Sequence, residues 1–261
     1  RLSSNGSAGH RPIRSIPLVS RLSGGWCKPM GKLEGRVCII TGASRGIGAE
    51  IARCFAAEGA LVAITARSIT EDRNPSKLQG TLRQTEQDIL AAGGRVMTIE
   101  GNVAKRDSCV DIVRRTRDAF GPIDILVNNA AVDYSTPFME LTPKRWETLF
   151  AVNVHGPFYL TQLVLEDMIP RRSGAVINTS SAAAIGYGRG PYKGKGDFEM
   201  AYGACKAAVE RWTQGLASEM YKHDVTVACY APSMLVPTPG ALGVADRSSM
   251  REYESEETMA Q

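Results

Sequence analysis

The chain has 261 residues, 43% hydrophobic and 22% charged, which is the make-up of a water-soluble globular protein, and it contains no apolar run long enough to span a bilayer. Its net charge of +4 is not that of a nucleic-acid binder: Arg1, Arg11, Arg14, Arg21, Lys28 and Lys32 precede the first acidic residue, Glu34, and the remainder holds 25 basic against 27 acidic residues. Six cysteines without a C-x-x-C pair and three scattered histidines provide neither a disulfide frame nor metal ligands; they predict reduced, buried thiols in a cytoplasmic protein.

In chain order, residues 1–29 are Arg- and Ser-rich and free of acids, the composition of an organelle-targeting leader. Pro12 and Pro17 interrupt any amphipathic helix there, so the preferred reading takes Met30 as the start and residues 1–29 as upstream sequence outside the fold. A single domain is expected over 30–261. "RVCIIT" (36–41) predicts a buried strand, "GIGAEIARCFAAEGA" (46–60) a helix ended by Gly59, and "LVAITA" (61–66) a second strand. A helix over 77–94, a strand over 95–100, a helix over 108–121 and a strand over 123–129 follow. The periodicity then predicts one long helix over 143–168, a strand over 174–181, a helix from Tyr202 to about Tyr221 and a strand over 225–232. Six strands alternating with helices imply an α/β fold, a doubly wound parallel sheet in three αβα layers, with ligands bound beyond the carboxyl ends of the strands.

The turn after the first strand is "TGASRGIG", Thr41–Gly48. Gly42, Gly46 and Gly48 allow a tight turn and close backbone approach, and the helix that opens there offers free N–H groups to a phosphate. Ser44, Arg45 and Ile47 complete the loop. The spacing is G-x-x-x-G-x-G, distinct from both G-x-G-x-x-G and a nucleoside-triphosphate loop. The second strand ends without a carboxylate for a ribose 2′-hydroxyl and is followed by Arg67; with Arg45 this favours a 2′-phosphate, hence NADP(H). Glu71 or Asp72 could still reach the ribose, which leaves NAD(H) open.

"YGACK", Tyr202–Lys206, puts a phenol and an ammonium one helical turn apart, a pair that spacing alone leaves ambiguous. Taken in order, "TGASRGIG", "NNA" (128–130), "VN" (152–153), "NTSS" (178–181) and "YGACK" resemble the motifs of the short-chain dehydrogenase/reductase family, over about Lys32 to Thr238. The resemblance implies an NAD(P)-dependent oxidoreductase that reduces a carbonyl to a secondary alcohol, reversibly. It implies Tyr202 as general acid or base, Lys206 as the charge that lowers its pKa and holds the nicotinamide ribose, and Ser181 as the donor to the substrate oxygen, with Ser180 its nearest rival. Asn153 would hold a water linking the lysine to solvent. Asn102 and Val103 would meet the adenine, Asn129 and Ala130 the ribose and nicotinamide side, and Pro232 and Val236 the nicotinamide, although Ser233 stands where the family usually has glycine. Gly203 and Ala204 would leave room for cofactor and substrate to approach.

The substrate is expected to be a small carbonyl or alcohol: a ketoacyl thioester, a steroid-like ketone or a xenobiotic carbonyl would fit. The Gly-rich segment over 186–199 is longer than the usual family connection, and its Tyr187, Tyr192 and Phe198 are candidates for a lid. Cys205 reads as a packing residue, not a redox switch. The apolar stripe Cys205, Ala208, Val209, Trp212 and Leu216 fits burial or, as in the family, a homodimer or homotetramer. The sequence ends at Gln261, before the last helix and seventh strand of the family pattern, and is expected to lack that strand. The alternative function is a non-catalytic dinucleotide-binding or regulatory protein of the same fold.

Overall fold

A computed structural model describes residues 31–70, 79–134, 136–185, 200–232, 236 and 238. The leader, Glu71, Asp72, the 186–199 segment with its lid candidates, Ser233 and the end of the chain lie outside them.

Six parallel strands form one sheet in the order β3-β2-β1-β4-β5-β6. They are β1 (Val37–Thr41), β2 (Leu61–Ala66), β3 (Arg95–Glu100), β4 (Ile125–Asn128), β5 (Gly174–Thr179) and β6 (Val225–Tyr230). All five residues of β1 are buried, as a central strand covered on both faces requires. Alternation sends Val37 and Ile39 into one core with Leu126 and Val176, and Cys38 and Ile40 into the other with Val62 and Ile64. Each fully buried Ile or Leu contributes about 2 kcal/mol through removal from water.

The first core is closed by α3 (Arg106–Phe120), α5 (Gly156–Arg171) and α6 (Met200–Met220), the second by α1 (Gly46–Ala57) and α2 (Leu82–Ala91). The doubly wound, three-layer Rossmann-like fold expected from the sequence is therefore present. The order of β2, β1 and β4 matters most for function. The chain leaves β1 towards β2 and later returns to β1's other side as β4, which opens a crevice between the carboxyl ends of β1 and β4.

Most element ends shift by one to three residues from the sequence reading, and two differences have a specific local cause. Helix α2 begins at Leu82, where Thr81 caps it by accepting from the Gln84 N–H, because Gly80 before it has φ +96°, a left-handed conformation that cannot continue a helix upstream. The long helix expected over 143–168 is instead α4 (Pro143–Phe150), a π-helical turn over Ala151–His155 and α5. Pro157 is the physical reason. It has no N–H to close an α-turn on the Asn153 carbonyl, and its ring would crowd that carbonyl, so the turn widens and Gly156 N–H donates to Ala151 O. A Cβ on Gly156 would lie 2.9 Å from the Val103 carbonyl oxygen, so the widened turn also packs tightly on the segment after β3.

Candidate active site

The glycine loop follows β1 with Gly42 at φ +68° and Gly46 at φ +54°. A Cβ on Gly42 would lie 2.7 Å from Ala130 Cα, and one on Gly48 would lie 2.4 Å from Asn129 Nδ2. Both glycines thus admit the segment after β4. Asn129 Nδ2 donates to the carbonyls of Thr41 at 2.9 Å and Gly42 at 3.3 Å, while Thr41 Oγ1 accepts from the N–H groups of Asn129 and Ala130, each at 3.0 Å. The side chain of Asn129 is a brace between the two crevice walls. Helix α1 starts at Gly46 without a side-chain cap and without an acid in its first turn, so its N-terminal N–H groups and dipole suit an anion.

Around this cradle, Ser44 and Ile47 are half-buried, and Arg45 Nη2 donates to Gly80 O at 3.0 Å, tying the loop to the approach to α2. Arg67 is exposed just past β2 and has no acidic partner among the described residues. Thr238 lies on the loop, its Cβ 2.9 Å from where a Cβ of Gly46 would be; Pro232 is half-buried and Val236 exposed on the way to it. Past β3, Asn102 Oδ1 accepts from Ala104 N–H at 3.1 Å. The Val103 side chain packs in the first core.

Beyond β5, the carboxyl end of the sheet meets α6. Lys206 is 3% exposed; its Nζ donates to Thr179 O at 2.6 Å and lies 5.4 Å from the Tyr202 ring centre. Burial pushes the ammonium's pKa down to about 8. Tyr202 itself is half-buried. Ser181 caps the short turn Ala182–Ala184, its Oγ accepting from Ala183 N–H at 3.2 Å, which leaves the hydroxyl proton available to donate. Ser180 differs: it is 3% exposed and its hydroxyl donates to Glu210. A Cβ on Gly203 would lie 2.6 Å from Ala183 O, so this glycine seats α6 against the turn that follows Ser181. That packing replaces the sequence-based reading of Gly203 as space for ligands.

Asn153, 1% exposed in the π-helical turn, donates Nδ2–H to Val132 O at 2.8 Å and accepts from Val132 N–H at 3.0 Å. It holds the segment after β4 at both main-chain atoms of one residue. Beneath it, Asn128 Nδ2 donates to Thr161 Oγ1 and Asn178 Oδ1, Asn178 Nδ2 donates to Thr213 Oγ1, and Thr213 Oγ1 donates to Val209 O. This buried chain joins β4, β5, α5 and α6 below the crevice. Burial raises the Cys205 thiol to about 11, consistent with its reading as packing, whereas Cys54 and Cys229 are exposed, contrary to the expectation of buried thiols: Cys54 lies on the outward face of α1 and Cys229 on the edge strand β6.

Residues 36–245 match the family model described as short chain dehydrogenase. The chain belongs to the short-chain dehydrogenase family. Within that family it is 32% identical over 204 residues to the 3-oxoacyl-(acyl-carrier-protein) reductase FabG of Thermotoga maritima, covering 78% of this chain and 76% of the relative. It is 33% identical over 206 residues to the chloroplastic NADPH-dependent aldehyde reductase 1 of Arabidopsis thaliana, covering 78% and 67%. A metagenomic short-chain oxidoreductase solved in complex with NADP superposes with a TM-score of 0.67 at 32% identity, covering 85% of this chain and 93% of that one. The protein is thus an oxidoreductase of a dinucleotide-binding family. No helix of the described residues is long and apolar enough to cross a membrane, and no group of metal-binding side chains occurs among them.

For a short-chain dehydrogenase, the sequence reading missed the residues that brace the site from within: Thr41, Thr179 through its carbonyl, the Asn128–Asn178–Thr213 chain and Glu210. Only Glu210 carried a visible signal, since it extends the four-residue spacing of Tyr202 and Lys206 by one more helical turn.

Proposed function

We propose that this chain is an NADP(H)-dependent reductase that converts an apolar ketone or aldehyde to the alcohol, reversibly. The observation that carries the reading is the buried Lys206 ammonium, fixed on Thr179 O and facing the Tyr202 ring. When bound, the nicotinamide would supply the hydride to the carbonyl carbon. A free phenol has a pKa near 10, and the adjacent positive charge favours its phenolate, which eases proton release to a carbonyl oxygen and, in the reverse direction, populates the base that takes a proton from an alcohol. With its own pKa near 8, Lys206 stays largely charged at neutral pH. Tyr202 is the general acid in reduction and the base in oxidation.

Ser181 donates its hydroxyl proton to the same substrate oxygen, a role that suits it better than Ser180, whose proton is spent on Glu210. Asn153 has both side-chain polar atoms committed to Val132, so the water expected beside it would rest on its main-chain carbonyl, which Pro157 cannot engage.

The diphosphate would be held by the Gly42–Gly48 loop with Ser44, Arg45, Ile47 and the N-terminus of α1, and the 2′-phosphate by Arg67. Asn102 and the main chain of Val103 would border the adenine. Ala130, braced through Asn129, would line the nicotinamide side with Pro232 and Val236, and Lys206 would hold the nicotinamide ribose. Ile185, 82% exposed, and Met200, 44% exposed, flank the residues leading from Ser181 and into Tyr202, and the names of the relatives are those of ketone and aldehyde reductases. Both support an apolar carbonyl substrate. An apolar groove between α5 and α6, lined by Leu165, Ile169, Pro170, Leu216 and Met220, supports a homodimer or homotetramer, to be tested by light scattering. The functional test is NADPH oxidation with a panel of ketones and aldehydes, compared between the wild type and Tyr202→Phe.

A further inference from the structure

We infer that Glu210 is a positioning residue of the reaction, acting through Ser180 to hold the end of β5 in register with α6. The inference rests on the reading of Tyr202, Lys206 and Ser181 given above. Lys206 and Glu210 stand one turn apart on α6, and they grip consecutive residues of the strand end. Lys206 Nζ donates to Thr179 O at 2.6 Å, and Ser180 Oγ donates to Glu210 Oε1 at 2.5 Å. The next residue is Ser181.

A hydroxyl donating to a carboxylate makes a charge-assisted bond, stronger than a neutral one. Ser180 is 3% exposed, so its hydroxyl has little access to a competing water. Its main chain is fixed as well, since Ser180 N–H donates to Tyr230 O at 2.7 Å, and Thr179 Oγ1 donates to the Tyr230 hydroxyl at 3.1 Å. Three elements therefore meet at these two residues: β5 ends at them, β6 holds them edge-on, and α6 holds them through one cation and one anion. With Ser180 clamped, the backbone of Ser181 has a single direction in which to present its hydroxyl, and the Thr179 carbonyl stays on the Lys206 ammonium.

Two alternatives for Glu210 are less consistent with the geometry. A surface carboxylate would leave the Ser180 hydroxyl to the backbone, as Ser181 does with Ala183. A direct proton acceptor for substrate would need Glu210 to face the crevice, whereas its bonded oxygen faces the buried Ser180. Glu210 touches neither substrate nor the reacting atoms in this reading; it acts through Ser180.

The test compares Glu210→Ala, Glu210→Gln, Ser180→Ala and the Ser180→Ala/Glu210→Ala double variant, with Tyr202→Phe alongside, in carbonyl reduction by NADPH. Loss of the clamp misplaces Ser181 and the Lys206 acceptor, so Glu210→Ala is expected to lower kcat about ten- to a hundredfold. KM for NADPH should rise by less than kcat falls, because the glycine loop is remote from the clamp and only the Lys206 contact is shared with it. Glu210→Gln retains an oxygen that accepts from Ser180 and should recover kcat to within about threefold of wild type. Ser180→Ala should match Glu210→Ala, and the double variant should be no worse than either single one. Wild-type kcat in Glu210→Ala or Ser180→Ala, losses that multiply in the double variant, or no recovery in Glu210→Gln would each overturn the inference. Full turnover in Tyr202→Phe would overturn the acid assignment and this inference with it; an inactive Tyr202→Phe beside a normal Glu210→Ala would overturn this inference alone.

Discussion

Lys206 Nζ lies 2.6 Å from the Thr179 carbonyl oxygen, so one buried cation joins the start of α6 to the end of β5. A single main-chain acceptor does not replace the water that the ammonium loses, and its pKa falls from an ordinary value of 10.5 to about 8. The folded-state pKa is below the unfolded one, so between these values the unfolded chain binds more protons and stability rises with pH. From pH 8 to pH 10 the wild type should gain about 2 kcal/mol relative to Lys206→Met. Denaturant midpoints of both proteins at the two pH values measure this; equal pH dependence would show that the ammonium is not desolvated.

Arg45 and Arg67 should separate in their effects on cofactor choice. Arg67 is exposed and lacks an acidic partner among the described residues, so Arg67→Ala should weaken NADPH binding at least about tenfold and leave NADH nearly unchanged. Arg45 also holds Gly80 O and shapes the glycine loop, so Arg45→Ala should weaken both cofactors. Fluorescence titration with each dinucleotide distinguishes the two patterns.

Asn153→Leu removes both hydrogen bonds to Val132 and leaves that half-buried residue's N–H and C=O without their Asn153 partner. The expected cost is about 2–4 kcal/mol of stability, with kcat falling in parallel as the segment after β4 loosens. Thermal unfolding and turnover of the same preparation check both. Asn153→Asp, which retains only an acceptor, should be nearly as damaging.

Gly203→Ala should also impair turnover, because the added methyl would lie 2.6 Å from Ala183 O and push the turn after Ser181 away from α6. A loss of about 1–3 kcal/mol is expected, the usual cost of overpacking. Ala204→Ser, on the half-buried neighbouring position, should be milder; urea midpoints of the two variants make the comparison.

The strands were legible because β-branched runs such as "CIIT" and "LVAIT" are short and bounded by glycine or charge, and their order left a doubly wound sheet as the simplest connection. Tyr202, Lys206 and Ser181 stood out through their motifs and "TGASRGIG" through its position between a strand and a helix, and the structure sets Lys206 on Thr179 O and against the Tyr202 ring. What escaped were partnerships between distant residues. Asn129 finds Thr41 across 88 positions and Asn178 finds Thr213 across 35, and no local pattern specifies either pair. The π-helical turn escaped for another reason: the apolar period continues through it, and only Pro157 marked the break. Gly203 was read for ligand space because its real neighbour, Ala183, comes from a different element.

Steady-state NADPH oxidation by Tyr202→Phe, with NADPH affinity measured on the same protein, decides whether Tyr202 delivers the proton in carbonyl reduction. If it does, kcat falls by at least about a hundredfold while NADPH binds within about threefold of wild type. Wild-type turnover in Tyr202→Phe with intact NADPH binding would rule that role out.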